Sequence, residues 1–145
     1  MKARNLGRLE LLAWLNDFAE TDYPKIEKCS DGVGYAQIFD AIHPNSVALH
    51  KLNFNVKYEE DNIRNLKLVD DCLKKLKINK IVPINRLAKG KFQDNIEFLQ
   101  WCYGYAQKHA PNVPSHYSGY QRRVDSITRQ NAHRAHKVEM APHLQ

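Results

Sequence analysis

An all-α globular domain is what this 145-residue chain predicts: apolar residues recur at three-to-four spacing through residues 8–109, no period-two run appears, and no Asn-Gly hairpin signal interrupts them. With 43% hydrophobic residues, the chain is long enough to bury one core and too short for two. At Pro111-Asn112-Val113-Pro114 the composition changes. Large apolar residues then become sparse, and Ser, Arg, Gln and His take over. The expected organisation is one helical domain, residues 1–113, and a basic flexible tail, residues 114–145.

The first helix is expected from Arg8 to Ala19, where Leu11, Trp14, Leu15 and Phe18 form one apolar stripe. The second runs from about Gly32 to Ile42, with Ser30 or Asp31 as its cap, Tyr35, Ile38, Phe39 and Ile42 on its buried face, and Pro44 blocking its extension. A loop-like segment follows from Asn45 to Lys57. The third helix, about Tyr58 to Leu76, turns Leu66, Val69, Leu73 and Leu76 to one side. Its acidic start (Glu59, Glu60, Asp61) and basic end (Lys74, Lys75, Lys77) both suit the helix dipole. A short helix spans Pro83 to Lys89 with Gly90 as its stop. In the last helix Asp94 and Glu97 have capping-box spacing, and Ile96 to Ala106 is apolar nearly all round, which predicts a central position. Trp14, Trp101 and Phe92 are expected in the core, and Gly32 and Gly34 at a close helix contact rather than in a phosphate loop.

No apolar stretch reaches the roughly 18 to 20 residues that cross a bilayer, and Met1-Lys2-Ala3-Arg4-Asn5-Leu6 leads into no signal-peptide core, so a cytosolic location is expected. Cys29, Cys72 and Cys102 are isolated and odd in number, which fits buried thiols better than a disulfide framework or a zinc knuckle. The seven histidines lie mostly in loops and tail, and no His-Glu-x-x-His, nucleophile elbow or cofactor motif occurs. Catalytic residues, metal ligands and cofactors are therefore not expected. His133 and His136, three apart, read as solvated tail.

A net charge of +6 favours an acidic partner. Residues 1–113 hold 17 basic and 14 acidic residues, and residues 114–145 hold 5 and 2, so each part carries +3 and the tail is the denser. From Cys72 to Gln93 stand Lys74, Lys75, Lys77, Lys80, Arg86, Lys89 and Lys91 with no acidic residue among them, so one flank of the domain is positive.

Four strings carry a resemblance: Leu12-Ala13-Trp14-Leu15-Asn16, then Lys25-Ile26-Glu27, then Gly34-Tyr35-Ala36-Gln37-Ile38-Phe39-Asp40, and above all Lys89-Gly90-Lys91-Phe92-Gln93-Asp94-Asn95-Ile96-Glu97-Phe98-Leu99-Gln100-Trp101. In this order the chain resembles the end-binding family of microtubule plus-end proteins, over about Arg8 to His109. The resemblance implies a calponin-homology fold, with four main helices and short connecting helices around a central apolar helix. It implies binding to the outside of the microtubule lattice, near the junction of neighbouring tubulin dimers, with a preference for growing ends and an influence on microtubule dynamics and the spindle. Carried over by position, the contacts are Arg8, Lys51, Lys57, Lys80, Lys89, Lys91 and Gln93. Lysines suit an acidic, mobile partner because each is a point charge on a flexible stem. Three positions depart from the family's habit: Leu9, where a polar or basic residue is common, Pro24, where a small hydroxyl residue is frequent, and His50, where a lysine is common.

The nearest rival is an actin-binding calponin-homology domain, disfavoured by the single copy and by the Lys89 to Asn95 string. A nucleic-acid binder is the second, favoured by charge but without an aromatic-basic signature. No membrane or nucleic-acid partner is expected. Family members continue into a dimerising coiled coil, whereas no heptad seam occurs here, so a monomer is expected unless a coiled coil follows. The tail from Ser115 to Gln145 is expected to act as a flexible electrostatic tether. Its alternative is that Tyr117 to Arg123 packs back on the domain.

Overall fold

The computed structural model describes residues 6–114 and 116–140, with side chains for all of these except residue 112 and residues 135–140. Among the described residues six α-helices appear: α1 Arg8–Ala19, α2 Val33–Ile42, α3 Glu59–Lys75, α4 Ile84–Ala88, α5 Phe92–His109 and α6 Gly119–Met140. Short 3-10 turns at Ile26–Asp31, Leu49–Lys51 and Ala110–Asn112 connect them, and the described residues contain no strand. The all-α expectation thus agrees with the structure, and the first four helices begin and end within two residues of where the apolar periodicity puts them.

Local chemistry explains the ends. Asp31, not Ser30, serves α2: its Oδ1 accepts the Val33 N–H at 2.9 Å and the Tyr23 hydroxyl at 2.6 Å. The Tyr23 hydroxyl in turn accepts the N–H of Gly34, where the chain packs closely, at 2.9 Å. Burial raises the Asp31 carboxyl above its usual pKa, and the Tyr23 and Val33 bonds oppose this. At the start of α3, Asp61 Oδ2 accepts the N–H groups of Lys57 (2.9 Å) and Tyr58 (3.0 Å). The Asp94–Glu97 capping box does not form. Helix α5 begins earlier, at Phe92, and Glu97 instead accepts a bond from Gln93 Nε2 at 2.7 Å.

Burial corrects the expected centre of the molecule. All ten residues of α2 are buried, whereas α5 buries Asn95, Phe98, Leu99, Cys102 and Ala106 and leaves Ile96, Trp101, Tyr103 and Tyr105 only partly covered. Helix α2 is therefore the central helix. Periodicity pointed to α5 because α5 is the richer in aromatics, and those aromatics form a ladder on its flank. Trp101 stacks with Phe98 at 5.9 Å and packs tilted on Tyr105 at 5.6 Å, and Tyr105 stacks with His109 at 4.2 Å. Trp14, Trp101 and Phe92 pack on the rim of the core, not inside it. Cys29, Cys72 and Cys102 lie within the core as free thiols.

The centrality of α2 puts Gln37 and Asp40 out of solvent, at 0% and 2% exposure. Burying such groups is costly without partners. The partners come from beyond Pro114. Arg122 grips Asp40 with Nε and Nη2, both bonds 2.9 Å, and the Tyr117 hydroxyl donates to the same carboxylate at 3.0 Å. Arg123 Nη1 donates to Gln37 Oε1 at 2.7 Å and to the Ala19 carbonyl at 2.8 Å, while its Nη2 reaches the Glu20 carbonyl. Gly119 passes so close to the end of α1 that any side chain there would overlap the Ala19 backbone. Where a flexible tail was expected for residues 114–145, the backbone over Gly119–Met140 is helical, and the stretch from Tyr117 to Arg123 packs back on the domain as its alternative supposed. The physical reason is that its arginines complete hydrogen bonds that α2 cannot satisfy by itself.

Candidate functional site

The acid-free run leaves α3, turns through α4 and enters α5, and two asparagines hold its middle in place. Asn62 of α3 donates through Nδ2 to the Ala88 carbonyl at 3.0 Å. Asn95 of α5, fully buried, donates to the carbonyls of Leu87 (3.2 Å) and Lys91 (3.0 Å), and its Oδ1 accepts the Tyr35 hydroxyl at 2.7 Å. Between these anchors Gly90 takes φ +73°, a left-handed turn that glycine adopts freely. The connection bearing Lys89 and Lys91 is thereby tied to the core while both lysines remain exposed.

Each expected contact residue can now be placed. Lys57 and Lys89 line one groove of about 560 Å³, together with Pro24, Lys28 and the exposed Tyr58. Lys91 sits at the N-cap of α5 and Gln93 in its first turn, both exposed. Lys80 lies over the Trp101 ring, its Nζ 5.4 Å from the centroid, so α5 fixes its direction. Arg8 is exposed at the start of α1, which the bond from Gln100 Nε2 to the Leu6 carbonyl (3.3 Å) holds beside α5. Lys51 stands apart, on the turn that packs against α6. Six of the seven thus surround α5 and its approach, and the seventh belongs to a second cleft.

Of the three departures, Leu9 is 75% exposed, Pro24 borders the Lys57–Lys89 groove, and His50 lies against Arg129 of α6, Nη1 to Nδ1 3.3 Å. Burial first, then the charges of Arg129 and Lys51, lower the His50 pKa, so its imidazole stays neutral at neutral pH. Sequence reasoning did not single out Asn62 and Asn95. The one available signal was a polar residue at a core position of a helix, as at Asn95 among Phe92, Ile96 and Leu99. Asn62 Oδ1 is buried with no hydrogen-bond partner, so this residue's donor side is used and its acceptor side is not.

No group of three or more metal-ligating side chains occurs among the described residues. Of the His133/His136 pair, the second side chain lies outside those described. No described helix is long and apolar enough to cross a membrane.

Comparison with known proteins adds three findings. The Calponin homology (CH) domain family matches residues 7–111. The protein "Microtubule-associated protein RP/EB family member 1C" of Arabidopsis thaliana is 40% identical over 100 residues, covering 69% of this chain. That match spans only 30% of the relative's own length. A solved chain from "Structural Basis of Microtubule Plus End Tracking by XMAP215, CLIP-170 and EB1" superposes with a TM-score of 0.75 at 37% identity, covering 81% of this chain and 97% of that one.

Proposed function

Because the chain belongs to the calponin-homology family and is a domain of its end-binding type, we propose that it is a microtubule-binding module that docks on the tubulin lattice through the face around α4 and the start of α5. The observation that carries this reading is the acid-free run, where Lys89 and Lys91 stay in solvent while Asn62 and Asn95 hold the backbone beneath them. Arg8, Lys57, Lys80, Lys89, Lys91 and Gln93 make the contact, and Lys51 adds a second point. Tubulin is strongly acidic, and solvated lysines held on a rigid loop attract it at long range with little loss of order on binding. The partner is the microtubule. No membrane or nucleic acid is part of the proposal, and the chain acts in the cytoplasm, as a monomer unless a coiled coil follows it.

Preference for growing ends, influence on microtubule dynamics and presence on the spindle follow from the same reading. Leu9, Pro24 and His50 fall on or near the contact faces and make end preference weaker than lattice binding.

Cosedimentation with microtubules and actin filaments in parallel tests the proposal. The parent should pellet with microtubules and not with actin, and binding should fall steeply as salt rises, since exposed charges are screened over about 8 Å at physiological ionic strength. Lys80→Glu and Lys89→Glu should each weaken binding. Actin binding, or variants that pellet like the parent, would refute it. Imaging on dynamic microtubules then measures end preference directly.

A further inference from the structure

We propose that α6 and the 45–51 segment form a second cationic cleft that takes a glutamate-rich peptide segment, with Lys51, Lys75 and Arg129 as its binding cations. The idea deepens the microtubule reading and rests on it for the source of the peptide, an acidic tail of the polymer.

The cleft, about 500 Å³, exists only because α6 packs on the Leu49–Lys51 turn. Gln130 Nε2 fixes that packing by donating to the carbonyls of His50 and Leu52, both at 2.8 Å. Lys51 comes from the turn, Lys75 from the end of α3 and Arg129 from α6, so three separate elements deliver charge around one opening. Among the described residues no carboxylate lies within salt-bridge range of these three side chains. Arg122 also lines the cleft, but Asp40 already engages it.

Two acids share the lining, Asp71 and Asp125. Asp125 accepts a bond from Gln121 Nε2 at 2.9 Å, and Asp71 contributes to the field around Lys74. Cations nevertheless outnumber acids in the lining, Lys51, Lys75, Arg122 and Arg129 against Asp71 and Asp125, and the charges of Arg129 and Lys51 add to burial in lowering the His50 pKa. Spaced cations around an open cleft suit a ligand with several spaced carboxylates. Val47, Leu49 and Leu68 add apolar lining, against which the methylene stems of glutamate can pack. The expected tether thus becomes a docked helix that presents Arg129 at a defined place.

Fluorescence anisotropy of a labelled oligoglutamate peptide with the whole chain tests the cleft. Saturable binding is expected, weakened about threefold to tenfold by Arg129→Glu, Lys51→Glu or Lys75→Glu and unchanged by Lys25→Glu, an exposed lysine outside both clefts. Arg129→Gln should weaken it less while keeping the parent's melting temperature, which separates lost charge from lost fold. No saturable binding by the parent, no effect of Arg129→Glu, or an equal effect of Lys25→Glu would overturn the proposal. In a second arm, cosedimentation uses microtubules with intact tails and microtubules whose acidic tails have been removed by limited proteolysis. Tail removal should weaken the parent and leave Arg129→Glu unchanged; an equal loss in both overturns the tail as occupant. A parent that binds peptide but no microtubule at all refutes the polymer as its source and, separately, the function proposed above.

Discussion

Arg122 and Arg123 end against buried groups of α2, whereas Lys89 and Lys91 end in solvent, although all four lie in basic surroundings of the sequence. The difference follows from what each side chain offers. Asp40 is almost fully buried and needs two well-directed donors, which the planar guanidinium fork of Arg122 supplies from one rigid group. Lysines keep their hydration and stay available to an outside partner. Positive charge in one chain therefore serves two ends: Arg122 and Arg123 complete the interior, and Lys89 and Lys91 equip the surface.

The seam between α2 and α6 should give the largest response. Arg122→Ala leaves Asp40 buried and short of a counter-charge; Arg122 is 37% exposed, which moderates the loss, so about 2 to 3 kcal/mol of stability should disappear in urea unfolding. Arg122→Lys should recover only part of it, because an ammonium cannot reproduce the fork. A loss below about 0.5 kcal/mol for the alanine variant would make the seam an ornament of the surface.

Acid should separate the regions in a second way. The N–H of Lys57, the guanidinium of Arg64 and the N–H of Tyr58 hold the Asp61 carboxyl at about 2, below its ordinary value. A depressed carboxylate contributes stability above its unfolded pKa and loses it as pH falls through the folded one. Stability should thus decline from roughly pH 4 towards pH 2. Asp61→Asn should flatten that limb of the profile; an unchanged limb would remove Asp61 as the anchor of α3 beside Lys57.

Smaller effects belong to the lysines. Lys80→Ala should cost about 0.5 to 1 kcal/mol, since Lys80 lies over Trp101 in a partly exposed setting. Lys89→Glu should change stability by less than about 0.5 kcal/mol while weakening microtubule pelleting. A Lys89 variant that unfolds easily would show that this face is structural too and would erase the contrast with the arginines.

What could be read in advance follows from the range of the interaction involved. Helices α1 to α4, their stops at Pro44 and Gly90, and the positive run from Cys72 to Gln93 are recorded in neighbouring residues, because helix periodicity and backbone preference act over a few positions. The family strings added the fold's name and seven candidate contacts. Sequence could not rank α2 against α5 for the centre, since apolar content says which side chains prefer burial, not which polar ones find partners. Gln37 and Asp40 are tolerated inside because Arg123 and Arg122, 86 and 82 residues away, arrive there. Nor could composition tell a solvated tail from α6, because the arginines that suggest disorder are the ones that hold the helix down. The second cleft has the same origin: Lys51, Lys75 and Arg129 are distant in sequence and share an opening only once α6 has docked. Local order was thus determined by the sequence alone, while the centre, the docked helix and the grouping of charges were decided by tertiary structure, since they depend on pairings that no short window contains.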